Sequence, residues 1–201
     1  MIRILIAEDQ AMVREAIVGL LDLEDDFEVV AQVGRGDEVL EAARASRPDV
    51  ALLDIEMPGA DGLQAAAQLR AELPDCKVLM LTTFGRPGYL RRAMEGGAAG
   101  FLLKDAPIAE LASAIRRAMA GERIVDPGLA AAALSEGPSP LTRREQEVLL
   151  ASREHATVAQ VALALHLSPG TTRNHLSAIM GKLGAHSRIE ALHIAEEKGW
   201  L

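Results

Sequence analysis

The sequence predicts an α/β domain with a parallel sheet followed by a smaller all-α domain, and three observations carry that prediction. Five short apolar runs, at residues 2–7, 27–33, 50–53, 77–81 and 100–103, are separated by helix-length segments. Runs this short, bounded by turn or charge signals, fit strands buried on both faces. Four of the runs lead directly into polar residues: Glu8-Asp9, Asp54, Thr82 and Lys104. Beyond Pro140 the strand-like runs cease and apolar residues recur at helical spacing.

The elements follow in order. Met12, Val13, Ala16, Ile17, Leu20 and Leu21 form the apolar stripe of a first helix, ended by Leu23-Glu24-Asp25-Asp26 before the second strand. A helix over 36–47 stops at Pro48 and one over 63–73 stops at Pro74, because the residue before a proline is pushed out of the helical region. Helices over 87–95 and 108–120 complete five βα units. The expected strand order is 2-1-3-4-5, a flavodoxin-like arrangement, because it places Asp9 and Asp54 on either side of the switch point between strands 1 and 3. Residues 121–140 hold Pro127, Gly128, Gly137, Pro138 and Pro140 around an alanine-rich piece. They read as a linker able to hold a short helix. The expected domains are therefore 1–120 and 141–201.

Residues just past the carboxyl ends of strands in an open α/β sheet face one crevice. Three acids (Glu8, Asp9, Asp54), a hydroxyl (Thr82) and an ammonium (Lys104) therefore converge there. The acids are hard oxygen donors suited to Mg²⁺, and adjacent carboxylates repel unless a cation neutralises them. With Mg²⁺ bound, Asp54 can attack phosphorus as a nucleophile. Lys104 is long enough to pair with Asp54 or its phosphoryl group, and Thr82 can donate a hydrogen bond to it. Taken singly, each residue reads equally well as a helix cap or a solvated loop residue; the joint placement points to a site.

Hydrophobic residues make up 49% of the 201 residues but aromatics only 2%, so the cores must be built from Leu, Ile, Val, Ala and Met. The single cysteine, Cys76, excludes an internal disulfide and fits a reducing compartment. No stretch approaches the ~18 apolar residues of a membrane span, and no signal peptide is apparent. The expected location is the cytoplasm, without membrane insertion. The net charge of −8 is unevenly shared: residues 1–140 hold 14 basic and 23 acidic side chains, residues 141–201 hold 7 and 6. Only the second part, which also holds all five histidines, has the balance of a nucleic-acid reader.

In that part Thr142 with Glu145, and Thr157 with Gln160, have the spacing of capping boxes. Ser168-Pro169 is an N-cap followed by proline at the first helical position. Helices ending near residues 153, 183 and 198, with a short one between the first two, suggest a helix-turn-helix within a four-helix domain. Thr172, Leu176, Ile179 and Leu183 form the buried stripe of the third helix. Arg173, Asn174 and Ser177 lie off it, near the end where a recognition helix meets base edges. Arginine can donate to guanine and asparagine can pair with adenine, whereas Thr171 and Lys182 suit phosphate contacts, which position without specifying. His175 fits a packed or phosphate-contacting role better than base reading.

Ala7-Glu8-Asp9, Asp54-Ile55-Glu56-Met57-Pro58-Gly59, Leu81-Thr82-Thr83 and Gly100-Phe101-Leu102-Leu103-Lys104 together resemble the receiver domain of bacterial two-component response regulators, over residues 1–120. The resemblance implies that Asp54 accepts phosphate from a sensor histidine kinase. It also implies that the Glu56 main-chain carbonyl joins Glu8, Asp9 and Asp54 around Mg²⁺. Thr82 would move toward the phosphoryl group, with Phe101 as the coupled aromatic. Phe101 lacks the hydroxyl of the more usual tyrosine, and a plain core role for it stays open.

Leu141-Thr142-Arg143-Arg144-Glu145-Gln146-Glu147-Val148-Leu149 and Gly170-Thr171-Thr172-Arg173-Asn174-His175-Leu176, continuing through Lys182-Leu183-Gly184-Ala185, resemble the LuxR-type helix-turn-helix of the NarL/FixJ subfamily. That resemblance implies DNA as a partner, homodimerisation on phosphorylation through the first and last receiver helices, and RNA polymerase as a candidate partner. Two residues depart from the pattern. His155 stands where a turn glycine is usual, and Ala159 stands where a basic residue is common, which removes a backbone contact and leaves specific binding dependent on dimerisation. Leu81-Thr82-Thr83-Phe84-Gly85-Arg86-Pro87-Gly88-Tyr89 further resembles regulators of fatty-acid desaturation, which implies membrane-lipid target genes. The rivals are a phosphatase of the haloacid dehalogenase type, a regulator indifferent to phosphorylation, and a helical protein-interaction module in place of the DNA reader. The phosphatase needs a second Asp where this chain has Glu56.

Overall fold

The five expected strands form as β1 (Ile2–Ala7), β2 (Phe27–Val33), β3 (Val50–Asp54), β4 (Lys77–Thr82) and β5 (Gly100–Leu103). The computed structural model describes residues 1–83, 87–105, 107–135 and 139–201. Phe84, Gly85 and Arg86, part of the segment tied to lipid-gene regulators, lie outside the described residues, as do Gly137 and Pro138 of the expected linker. The chain divides into two compact units, the first formed by most of residues 1–131 and the second chiefly by residues 132–201.

In the first unit every strand pair is parallel and the order is 2-1-3-4-5, extended by a sixth strand beside β5. This β6 (Ile124–Val125) lies in the stretch expected to be linker. Two residues between Arg123 and Asp126 are too short to register as an apolar run. They pair nonetheless, Gly100 with Ile124 and Phe101 with Val125, and the Ile124 N–H donates to the Ala99 carbonyl at 2.9 Å. The strand thereby satisfies backbone groups that would otherwise lie along an open edge.

The helices are α1 (Ala11–Leu21), α2 (Val39–Ser46), α3 (Gly62–Glu72), α4 (Pro87–Glu95), α5 (Ile108–Met119) and α6 (Pro127–Ser135). Alternation along the strands splits the core. Ile4, Ile6, Val50, Leu52, Leu79, Leu81 and Leu102 pack with Ile17 and Leu21 of α1 and with Leu111, Ala112 and Ile115 of α5. Leu5, Leu53, Met80 and Phe101 alternate with them and are fully buried. The helix expected over 36–47 begins as one 3₁₀ turn, Gly36–Glu38. A Cβ on Gly36 would stand 1.9 Å from the Ala60 carbonyl oxygen, so glycine is required at that approach.

The second unit contains α7 (Arg143–Glu154), α8 (Val158–Ala164), α9 (Pro169–Leu183) and α10 (Arg188–Glu197). Both expected capping boxes form, Thr142 with Glu145 and Thr157 with Gln160. Ser168 caps α9 with Pro169 at its first position, and Gly184 closes it with φ +64°. Leu141, Val148, Leu149, Val161, Leu176, Ile179, Ala191 and Ala195 make the core. His155 needs no glycine-like conformation, since its backbone is extended at φ −118°; its carbonyl accepts a hydrogen bond from Arg188 Nη1 at 3.1 Å. Among the described non-glycine residues of this unit the left-handed one is His166, at φ 54° in the turn between α8 and α9. Among the described residues no helix is long and apolar enough to cross a membrane.

Candidate functional site

The register of the sheet brings the polar strand ends together. Asp54 is the last residue of β3 and pairs with Leu81; Thr82, the last of β4, pairs with Leu103. The Lys104 N–H continues the ladder, donating to the Thr82 carbonyl at 2.8 Å. Glu8, just past β1, donates its N–H to the Val33 carbonyl at 3.1 Å. Glu8, Asp54 and Thr82 are buried, at 1%, 4% and 3% exposure, while Asp9 is exposed.

Lys104 joins the acids. Its Nζ lies 2.7 Å from Glu8 Oε2 and 2.9 Å from Asp54 Oδ2. Asp54 Oδ1 accepts the Ile55 N–H at 2.7 Å, and Glu8 Oε1 accepts the Gln10 N–H at 3.2 Å. Among the described residues Glu8 Oε2 is buried with no hydrogen-bond partner beyond this ionic contact. Burial pushes the Asp54 carboxyl above its ordinary value, and Lys104 with the Ile55 N–H offsets this only in part. Burial, reinforced by Asp54, likewise raises Glu8 against the pull of Lys104. For Lys104 burial opposes the charge, but the two carboxylates outweigh it and the ammonium is strengthened.

Oxygens of Glu8, Asp9 and Asp54 all lie within 4.8 Å of one another. One lysine shared by two buried acids, with a third acid at the mouth, leaves negative charge uncompensated. That set of hard oxygens fits a divalent cation such as Mg²⁺. Glu56 is exposed in the loop before α3, where Tyr89 Oη donates to its Oε1 at 3.4 Å. Phe101 is fully buried in β5.

Two contributors escaped the sequence reading. Arg14 of α1 donates from Nη1 to the Glu8 carbonyl, an interaction with a backbone acceptor that no residue pattern announces. Gly62 opens α3 so close to the strand end that a Cβ would stand 1.9 Å from the Asp54 carbonyl oxygen. A glycine directly after the helix-capping Asp61 was the available signal.

In the second unit Thr172, Leu176 and Ile179 are buried in α9, Leu183 packs against that core, and Arg173, Asn174 and Ser177 are exposed. Thr171 is half-buried, its Oγ1 2.8 Å from Ser168 Oγ. Lys182 Nζ lies 2.6 Å from Glu145 Oε2. Glu145 is itself 5% exposed and accepts the Thr142 N–H at 2.7 Å. Burial alone would raise the Glu145 carboxyl, but Lys182 and Thr142 outweigh it and hold it below its ordinary value. Ala159 is exposed on α8.

Comparison with known proteins agrees with both halves of this picture. Residues 4–116 match the response regulator receiver domain family, and residues 139–195 match the bacterial regulatory proteins of the luxR family. The chain is 47% identical over 201 residues to YvfU of Bacillus subtilis, an uncharacterized transcriptional regulatory protein, with all of both chains covered. It is 46% identical over 200 residues to the transcriptional regulatory protein DesR of the same organism, covering 100% of this chain and 99% of that one. Among solved structures, the response regulator ChrA of a heme-sensing two-component system is 33% identical, with a TM-score of 0.59 over 100% of this chain and 98% of that one. A receiver carrying a buried acid–lysine cluster and a LuxR-type helix-turn-helix thus occur in one chain, which belongs to the two-component response regulators that bind DNA and control transcription.

Proposed function

We propose that Asp54 is the phosphoacceptor and that its phosphorylation switches the chain to a DNA-binding homodimer in the cytoplasm. The observation that carries this reading is Lys104 Nζ held 2.9 Å from Asp54 Oδ2 at the strand ends, with Glu8 at 2.7 Å. An Asp54 oxygen attacks the phosphorus of a phosphohistidine on a sensor kinase. The P–N bond breaks, and the imidazole leaves with its electron pair and takes up a proton. Mg²⁺, held by Glu8, Asp9, Asp54 and the main-chain carbonyl of Glu56, would supply the positive charge that balances the phosphoryl oxygens. Lys104 then pairs with the phosphoryl group and Thr82 donates a hydrogen bond to it, while the buried Phe101 repacks in response.

For the dimer, α1 and the residue after its loop turn present Met12, Leu20 and Leu23 to solvent, and α5 presents Met119. Arg116 of α5 bonds Glu24 and Asp26, so the two helices offer one joined surface. Two α9 helices would then read a two-fold-related site. Arg173, Asn174 and Ser177 meet base edges, while Thr171 and the ammonium protons of Lys182 not engaged by Glu145 meet phosphates. RNA polymerase is the partner through which bound regulator would act. Membrane-lipid genes are the targets that the resemblance of residues 81–89 supports.

The test combines a small-molecule phosphoryl donor and Mg²⁺ with light scattering and selection of bound genomic fragments. Wild type should shift from monomer to dimer and enrich a two-fold-related sequence, and Asp54→Ala should do neither. A phosphorylated protein that stays monomeric would sink the reading. The fragments recovered would identify the target genes.

A further inference from the structure

The loop joining β1 to α1 is three residues long, Glu8-Asp9-Gln10, and it carries two of the three clustered acids. Its anchoring is lopsided. The Glu8 N–H is held by the Val33 carbonyl and Glu8 Oε1 by the Gln10 N–H. Gln10, the N-cap of α1, makes no side-chain capping bond, and no acidic residue occupies the first turn of the helix. The Glu8–Asp9 peptide is held through its carbonyl, which accepts from the Arg14 guanidinium. Arg14 is half-buried. Gly34, just after β2, lies alongside it: a Cβ there would make ordinary van der Waals contact with Arg14 Nη1 at 3.5 Å.

We propose that Arg14 is a positioning residue for the metal site. By holding the Glu8 carbonyl it fixes the Glu8–Asp9 peptide, and so keeps the Asp9 carboxylate within reach of Asp54. The inference rests on the reading of Glu8, Asp9 and Asp54 as Mg²⁺ ligands. Groups that orient a ligand typically govern metal affinity by about 10–100-fold, although Arg14 itself touches no carboxylate of the cluster among the described contacts.

Charge and positioning predict opposite signs, which makes the inference testable. Arg14 is a cation bonded to the backbone of the loop that carries two of the three carboxylates, so on Coulomb grounds alone its removal should tighten Mg²⁺ binding. If it positions Asp9, removal should weaken binding. Mg²⁺ titration of the full chain by calorimetry, with metal-free thermal unfolding in parallel, should show Arg14→Met weakened by about tenfold. Arg14→Lys, which keeps the charge and one donor, should recover most of the affinity. In an Asp9→Asn background the Arg14→Met change should have little further effect, because the group it positions is already lost. Tighter or unchanged binding in Arg14→Met would overturn the proposal, as would an undiminished effect in the Asp9→Asn background. Should Arg14→Met fail to fold, the Arg14→Lys protein with and without Asp9→Asn carries the same comparison at smaller amplitude. Wild type that binds no Mg²⁺ would instead defeat the ligand assignment itself.

Discussion

Each unit of this molecule contains a buried carboxylate held by a lysine, and the two arrangements differ in arithmetic. In the helical unit one acid, Glu145, has one lysine, Lys182, and a capping N–H from Thr142. Its carboxyl is accordingly held below the ordinary value. In the receiver two buried acids, Glu8 and Asp54, share Lys104, and both are raised. A satisfied pair fastens α9 to the start of α7. On the proposed function, the under-satisfied trio would take up another positive charge, and then a phosphoryl group. The same chemical pair is a fastener in one unit and, on the proposed function, a switch in the other, according to how many acids one lysine must answer.

The contrast can be broken most sharply at the lysines. Lys104→Met strands two buried carboxylates and should cost about 3 kcal/mol of receiver stability, part of which added Mg²⁺ should restore. Lys182→Met leaves Glu145 its Thr142 N–H and removes a lysine that is itself 37% exposed, and should cost about 1 kcal/mol, with no Mg²⁺ response. Fluorescence assigns the transitions seen by calorimetry, because Trp200, the only tryptophan, packs against the helical core and labels that unit. Equal costs, or Mg²⁺ rescue at both sites, would erase the distinction.

Removing an acid should sharpen it. Asp54→Asn relieves the surplus in the receiver and should raise metal-free stability by about 1 kcal/mol; a loss would show that the trio is already balanced. The smallest effect concerns pH. Glu145 binds its proton less readily folded than unfolded, so the stability it adds is full above its ordinary value of 4.5. That stability is lost as pH falls through the lower folded value. Urea unfolding followed by Trp200 fluorescence should therefore lose stability on acidification from about pH 5 toward about pH 3. Glu145→Gln should show a shallower loss over that span.

Much of this was legible in the sequence because backbone periodicity does the placing. Once the apolar runs are strands of a parallel sheet, Asp54, Thr82 and Lys104 must meet, whatever their separation along the chain. The three helix caps Thr142, Thr157 and Ser168 were legible because capping is local. What stayed hidden has a common cause. Arg14 bonds a backbone carbonyl, and any residue can supply one. Lys182 finds Glu145 across 37 residues, with the partners fixed only by how the helices pack. His155, which stands where a turn glycine is usual, has an extended backbone. The left-handed conformation falls instead on His166, a residue type that tolerates it better than most.

The two-residue strand β6 matters to anyone who wishes to isolate the receiver. Ending the polypeptide at residue 120, where its last long helix finishes, would strip Ile124 and Val125 from the side of β5. The amide row alongside Phe101 would then be bare, able to template pairing with another molecule, and self-association of such a fragment would owe nothing to phosphate. A receiver cut after residue 131 keeps that border closed, and only such a piece can report on dimerisation without manufacturing it.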